Sequence, residues 1–336
     1  MKIKSVIFNP VVRVGLTSLI LAIGLNSCNT IWTDQDACPE GASIRFVYDY
    51  NMEFADAFNK KVDCLSVLVF DNSGNHITTI EETSEALKDE SYRMTLDLEP
   101  GDYTLVTYGG LACEESSFNI PSFGTRVSGH ISGLYAEMEH DNFVSNDAKH
   151  DFYHGIHNLT IRQHKVAEET VYLKKNTNNI KIVLQQISGE TITADQFTFS
   201  ITDDNSYMDA ENNVIPKGIV NYQPWTSGDA IVGTAEDGET PVSTVFAEFS
   251  TSRLTTGTSP KLVIRSIEKD KDIINIPLNQ YLLLLKSEIH EGMESQEFLD
   301  RESEWSLVFF LDSGFRWINT HIVVNDWTVR LNHIGL

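Results

Sequence analysis

Apolar and polar residues alternate with a period of two along most of this chain, and helical periodicity is scarce. Tyr92, Met94, Leu96 and Leu98 alternate with Arg93, Thr95 and Asp97. Glu99-Pro100-Gly101-Asp102 follows, where Pro presets a turn and Gly permits positive φ, and Tyr103, Leu105, Val106 and Tyr108 continue as a return strand. The pattern predicts a hairpin. Residues 62–70 are apolar on both faces, as a central sandwich strand requires, and Asp71-Asn72-Ser73-Gly74 turns them into a strand over 77–82. Ile180, Ile182 and Leu184 share a face, as do Phe197, Phe199 and Ile201 against Thr198, Ser200 and Thr202. Residues 262–267, 280–285, 307–311 and 317–331 add further strands. Many short strands separated by turns predict an all-β fold of antiparallel sandwiches.

The polar run Lys174-Lys175-Asn176-Thr177-Asn178-Asn179 is the expected boundary between two domains, residues 28–175 and 176–336, each of ordinary size for one sandwich. Residues 109–155 carry no clear strand pattern except at 134–138. Loops of that length usually mean function or insertion.

The start of the chain reads differently. Lys2, Lys4 and Arg13 form a positive region, residues 14–25 are apolar, and Leu25-Asn26-Ser27-Cys28 closes the segment. A spanning helix needs about 20 apolar residues, so this stretch is too short to cross a bilayer convincingly. A small residue before Cys28 is similar to a bacterial lipobox. The likeness implies removal of residues 1–27 and a mature chain beginning at Cys28, which carries a diacylglyceryl thioether and an N-acyl chain. Asp34 and Asp36 place acid near that cysteine, a weak pointer to surface export.

Of the 336 residues, 25 are Lys or Arg and 48 Asp or Glu, a formal charge of −23. Removing the first 27 takes away three basic residues and no acid, which leaves 22 against 48, or −26. Such a surface repels polyanions and excludes a basic nucleic-acid binder. After Cys28 is lipidated, Cys38, Cys64 and Cys113 remain, enough for one disulfide. Cys64 lies in an apolar segment and reads as core, which favours Cys38 with Cys113.

Catalytic motifs are missing: there is no G-x-S-x-G, G-x-x-x-x-G-K-[ST], H-E-x-x-H or C-x-x-C, and the expectation is that the protein is not an enzyme and carries no cofactor. Ser266 and Lys269 satisfy S-x-x-K without its companion motifs. His140, His150, His154, His157 and His164 fall within 25 residues, and three of them would share a face on a helix. Gly155 and the pair Phe152-Tyr153 disfavour that helix, so the histidines read as loop and strand residues rather than metal ligands. Asp71 through Asn75, and Asp203-Asp204-Asn205 with Asp209 and Asn212, supply the oxygen ligands calcium prefers but lack a twelve-residue calcium loop. They read as turns. Trp317 and Ile318, and Trp327 with Val329 and Leu331, offer aromatics for sugar stacking but sit at the spacing of core strand residues.

Several segments together resemble the FimB-type fimbrial anchor family: Arg45-Phe46-Val47-Tyr48-Asp49-Tyr50-Asn51-Met52, Ala55-Asp56-Ala57-Phe58, Val62-Asp63, Val69-Phe70-Asp71 with Gly74, and Tyr92-Arg93-Met94 with Leu98-Glu99-Pro100-Gly101-Asp102-Tyr103. Asp151-Phe152-Tyr153-His154-Gly155 and the stretch from Ile322 through Asp326-Trp327 to Arg330 extend the likeness to nearly the whole mature chain. The resemblance implies two transthyretin-like Greek-key β-sandwiches in tandem, in an outer-membrane lipoprotein at the base of type V pili or in a related minor subunit. It implies stalk subunits as partners through strand exchange, in which a donated strand fills an open sheet edge. A host protein or glycan is a further partner to be expected of a surface protein. In that family an Arg-preferring protease frees the stalk subunits, whereas an anchor keeps its lipid. No Lys or Arg occurs between Cys28 and Ile44, and the first candidate site, Arg45, falls in an apolar strand. After the last strand, near Leu331, no apolar extension is left to donate. Both features suit a subunit that seats or ends a fibre. The alternative is a free-standing surface adhesin or glycan-binding lipoprotein.

Overall fold

A computed structural model describes residues 40–121, 129–186, 188–234, 241–318, 322–324 and 327–329. Its elements are nearly all strands, arranged as two β-sandwiches joined by a small third sheet.

In the N-terminal sandwich, β1 (Ala42–Val47) lies between β10 (Ala167–Tyr172), to which it runs parallel, and β4 (Met94–Leu96), to which it runs antiparallel. The facing sheet has the order β11-β9-β5-β2-β3, from β2 (Leu65–Asp71), β3 (His76–Glu82), β5 (Gly101–Gly109), β9 (Tyr153–Ile161) and β11 (Lys174–Lys175). Ile44, Phe46, Met94 and Leu96 from the first sheet meet Val67, Val69, Leu105 and Leu159 from the second. The other face of the second sheet is also covered, because Leu68, Phe70, Val106 and Tyr108 belong to the core of the C-terminal half. Burial of β2 on both faces accounts for its run of apolar residues on both faces from Val67 to Phe70.

In the C-terminal sandwich, a six-stranded sheet runs β16 (Thr226–Thr234), β17 (Pro241–Ser252), β12 (Thr177–Gln186), β20 (Glu304–Leu311), β21 (Ile322–Val324) and β22 (Trp327–Val329). It faces the sheet β19 (Lys271–Pro277), β18 (Lys261–Ser266), β13 (Phe197–Asp203), β15 (Val220–Tyr222) and β8 (Val144–Ser145). Ile180, Ile182 and Leu184 pack from one side against Phe197, Phe199 and Ile201 from the other, as their alternation predicts. Neighbouring strands are often distant in sequence, so the connections cross over in Greek-key fashion. Pairing is antiparallel except for β1 with β10, β12 with β20 and β8 with β15.

The third sheet is β14 (Tyr207–Asp209), β7 (Tyr135–Met138) and β6 (Phe118–Asn119). Its strands β6 and β7, like β8, come from the long irregular stretch after β5. That excursion leaves the N-terminal sandwich, pairs with strands of the C-terminal half, and returns at β9. Gly110, with φ +88°, stands where it departs, and a Cβ there would lie 2.1 Å from the carbonyl oxygen of Asp151. Only glycine lets the two ends approach so closely.

Three sequence expectations are corrected. The segments around 94–96 and 101–109 do not pair as a hairpin: β4 joins β1, and β5 joins β2 and β9 in the opposite sheet. Glu99 to Asp102 is an arch between layers, because period two and turn chemistry serve a layer crossing as well as a hairpin. Of the strand expected over 280–285, residues 280–283 are helical, within a helix that spans Leu278–Leu283; Pro277 fixes its entry, and Leu278 and Leu282, four apart, are buried. The polar run 174–179 is extended rather than a break between strands. It forms β11 and the start of β12, and Asn176, Thr177 and Asn178 are buried. The side-chain amides of Asn176 and Asn212 exchange hydrogen bonds of 2.7 and 3.1 Å, and Asn178 Oδ1 accepts one from the Trp305 indole at 3.1 Å. Buried amides are tolerated here because each has a partner.

Candidate functional site

Two of the sequence segments that carry the family likeness, residues 45–58 and 151–155, lie at the contact between the two sandwiches. The first segment leaves β1 and folds into a loop over residues 48–57. Asn51 shapes it: its Nδ2 donates to the carbonyls of Tyr48 and Ala55 at 2.9 and 2.8 Å, and its Oδ1 accepts from the Glu53 amide at 3.0 Å. Asp56 accepts from the amides of Tyr48 and Phe58 and from Arg45. Phe54 takes φ 52°, unfavourable for a bulky side chain, and its ring is held out beside Arg301.

Arg301 ends the helix Ser295–Arg301 of the C-terminal half. Its guanidinium lies 4.1 Å from the ring centroid of Tyr50 and 4.5 Å from that of Phe54, and it donates to the carbonyls of Asp49 and Asn51 at 3.2 and 3.3 Å. Lys174 covers Tyr50 as well, at 4.6 Å. Beneath lies Asp300, whose carboxylate accepts two hydrogen bonds of 2.7 Å from Arg253. Its side chain is 2% exposed and that of Arg253 12%. Arg253 also donates to the Asn212 carbonyl. A buried pair of this quality adds little net stability over apolar packing, but losing one partner strands a charge in a dry site.

The Asp151-Phe152-Tyr153-His154-Gly155 segment fills the rest of the contact. The Phe152 ring stacks on Phe118 at 4.0 Å and on Tyr108 at 5.4 Å. Asp151 pairs with Lys175 at 2.8 Å and accepts from the Tyr153 hydroxyl at 3.1 Å. His154 is buried and donates from Nε2 to the Ala210 carbonyl at 2.9 Å, and burial pushes its imidazole down to about 4. A Cβ on Gly155 would lie 2.8 Å from the Tyr172 carbonyl, so glycine lets β9 pass under β10.

Arg45, the first basic residue after Cys28, lies within β1, whose neighbours pair with it on both edges. Its side chain reaches out to Asp56 at 3.1 Å while Ile44 and Phe46 point into the core. Cys28 lies outside the described residues, and so does Cys38. The disulfide is not Cys38 with Cys113 but Cys64 with Cys113, Cα atoms 5.5 Å apart. Cys64 is core, as its apolar surroundings predict, and it is bonded too, since the departing excursion passes directly over the start of β2. Burial and pairing are compatible at Cys64.

The histidines do not assemble a metal site. His150 contacts Asp63 at 3.1 Å, His157 Glu169 at 3.2 Å and His164 Glu40 at 3.6 Å, while His140 stacks on Phe143. Among the described residues, the one group with metal-ligand spacing is Asp63, Cys64 and Cys113, whose sulfurs are joined to each other. The acidic turns close on their own backbone. Asp71 accepts from the amides of Ser73 and Asn75, Asp204 from those of Lys217 and Gly218, and Asp209 from those of Glu211 and Asn213. Asp203 is buried and accepts from Thr258 and the Asp204 amide, with its carboxyl raised by desolvation to about 6. Ser266 and Lys269 meet only through the Lys269 backbone amide, and the lysine ammonium turns to the Gly314 carbonyl. Trp317 packs into the core against Phe309 at 5.5 Å, next to Ile318, whose amide donates to the Phe310 carbonyl. Trp327 and Val329 lie in β22, and Leu331 is outside the described residues. The sequence reading missed Trp225, which is 43% exposed; the Pro before it, ending an extended run, was the signal that the chain turns outward there.

Residues 35–333 match the model of the family described as fimbrillin-A associated anchor proteins Mfa1 and Mfa2. A candidate adhesin from Bacteroides thetaiotaomicron is 46% identical, with a TM-score of 0.83 over 89% of this chain and 100% of that one. A second structure from the same organism, described as a candidate polysaccharide-binding protein, is 26% identical with a TM-score of 0.73 over 87% and 98%. The fimbrial anchor protein Mfa2 from Porphyromonas gingivalis shares the fold at 13% identity, with a TM-score of 0.65 over 87% and 99%. A comparison with curated proteins finds no match.

Proposed function

The chain belongs to the fimbrillin-A associated anchor family, and on that premise we propose that it seats a fimbrium on the outer membrane through lipid on Cys28, with stalk subunits held by strand exchange. The observation that carries this reading is the place of the first strand. β1 is paired along all six residues with β10 and along three with β4, and it contributes Ala42, Ile44, Phe46 and Val47 to the buried core. A subunit matured by loss of its first strand would have to surrender this core, at roughly 1.5–3 kcal/mol for each large apolar side chain exposed. With Arg45 inside the ladder and no basic residue between it and Cys28, the lipidated end stays joined to the fold. The junction around Arg301 and Asp300 then ties the lipid-proximal sandwich to the distal one.

A second reading, a surface adhesin apart from any fibre, is favoured by the 46% identical relative being described as a candidate adhesin. Immunogold electron microscopy of intact cells separates the two. Gold where fibres meet the membrane supports the anchor; gold at fibre tips makes it an adhesive minor subunit. Even surface labelling on piliated cells, apart from fibres, supports the free adhesin.

A further inference from the structure

We propose that the cleft beside Trp225, of ≈ 480 Å³, binds an uncharged pyranose unit of a polysaccharide chain. The site does not depend on the anchor reading.

Trp225 is anchored by its backbone amide, which donates to the Glu248 carbonyl at 3.0 Å, yet 43% of the residue is left in water. The other tryptophans with described side chains, Trp305 and Trp317, pack into the core. A half-exposed indole lining a cleft, carried on a backbone held by the hydrogen bond to Glu248, offers a flat apolar surface, the partner that the C–H face of a pyranose requires.

Polar groups surround that surface in a preset arrangement. Lys181 pairs with Glu248 at 3.0 Å; Asn179 Nδ2 donates to Glu304 at 3.0 Å while its Oδ1 accepts from Ser250 at 3.2 Å. Lys149, from the excursion that departs the N-terminal sandwich, also lines the cleft. Its ammonium is held by the Glu139 carbonyl at 2.9 Å and by Asp147 at 2.8 Å, with the side chain 1% exposed. The cleft thus lies between elements of both halves, and its walls are fixed before a ligand arrives.

Charge selects the ligand class. Two lysines and two glutamates line the cleft, so it is locally neutral on a chain of formal charge −23. An acidic sugar meets repulsion from the protein as a whole, and a cationic ligand has no net local charge to hold it. Hydroxyl groups, which both donate and accept, match the carboxylates, ammonium and amide on the rim.

The test uses mature full-length protein titrated by calorimetry with neutral tetrasaccharides of glucose, of mannose and of N-acetylglucosamine. At least one is expected to bind with a Kd of about 0.1–1 mM, and Trp225→Ala and Lys181→Gln each to weaken it by about tenfold or more. Tyr172→Ala, an exposed aromatic outside the cleft, is expected to bind as wild type, and unchanged melting of all three variants shows intact folding. The proposal is overturned if none of the three sugars binds at about 10 mM, if binding survives Trp225→Ala, or if Tyr172→Ala abolishes it equally. Cells expressing Trp225→Ala are expected to keep their fibres; losing them would make the cleft an assembly surface and overturn the sugar assignment while leaving the anchor reading standing.

Discussion

Arg301 stacks on Tyr50, its guanidinium carbon 4.1 Å from the ring centroid, and thereby fastens the C-terminal sandwich to the loop that follows the first strand. Cation–π contacts of this kind contribute about 0.5–2 kcal/mol, so Arg301→Ala is expected to lower stability modestly. Arg253→Ala is expected to cost about 3–5 kcal/mol, because it leaves Asp300 buried without its bidentate partner. Urea unfolding followed by fluorescence and by circular dichroism checks both. Equal losses in the two variants would contradict the distinction drawn between an arginine stacked on an aromatic ring and one paired with a buried carboxylate.

The disulfide predicts its own map. Non-reducing peptide analysis of protein from the cell envelope is expected to recover Cys64 joined to Cys113, with Cys38 a free thiol. The double substitution Cys64→Ala with Cys113→Ala opens a loop of sequence separation 49 and is expected to destabilise by about 2–5 kcal/mol. Recovery of a Cys38–Cys113 peptide would show that the excursion is fastened elsewhere.

Two buried groups give pH dependences of opposite sign. His154 is held down to about 4, below its ordinary 6.5, by burial. Its neutral form therefore contributes stability that is present above pH 6.5 and is lost as pH falls toward 4, on the order of 3 kcal/mol in all. Asp203 is raised by burial from 3.8 to about 6, so its contribution is present below about 3.8 and is lost as pH rises through 6. The stability difference between wild type and His154→Gln should shrink on acidification from pH 7 to 4.5. Relative to Asp203→Asn, wild type should gain over the same range. Parallel profiles for the two variants would contradict these assignments.

Arg45 provides a test by proteolysis. An Arg-specific protease added to the folded mature protein is expected to leave the Arg45–Phe46 bond intact, because both residues are paired with β10 and the Phe46 side chain is buried, and to cut it after unfolding in urea. N-terminal sequencing of the products decides. Rapid cleavage at Arg45 under native conditions would show that β1 opens locally.

The strands themselves were legible because their burial is one-sided or two-sided in ways that leave a period, as at Ile180, Ile182 and Leu184. Their partners were not. Glu99 to Asp102 carries the chemistry of any tight connection, and whether β4 returns to β5 or to β1 depends on residues far away in sequence. The apolar run from Leu282 to Leu285 has no period to read, and the signals that mark a helix there, Pro277 and the i, i+4 pair Leu278 and Leu282, lie at its start. Asn176 and Asn178 look like linker residues until their amide partners, Asn212 and Trp305, are brought beside them. The junction was not legible: Arg301, Asp300 and Arg253 carry no local pattern, and their roles come from tertiary contact alone.

The central claim is that this subunit joins fibre to membrane through Cys28, and the most direct measurement is the fraction of fibres that remain cell-bound when Cys28→Ala replaces the wild-type chain. The anchor reading predicts that fibres are still assembled but are shed into the medium with the variant subunit at one end. Fibres that stay attached in wild-type number, while the variant protein is released without them, would contradict it.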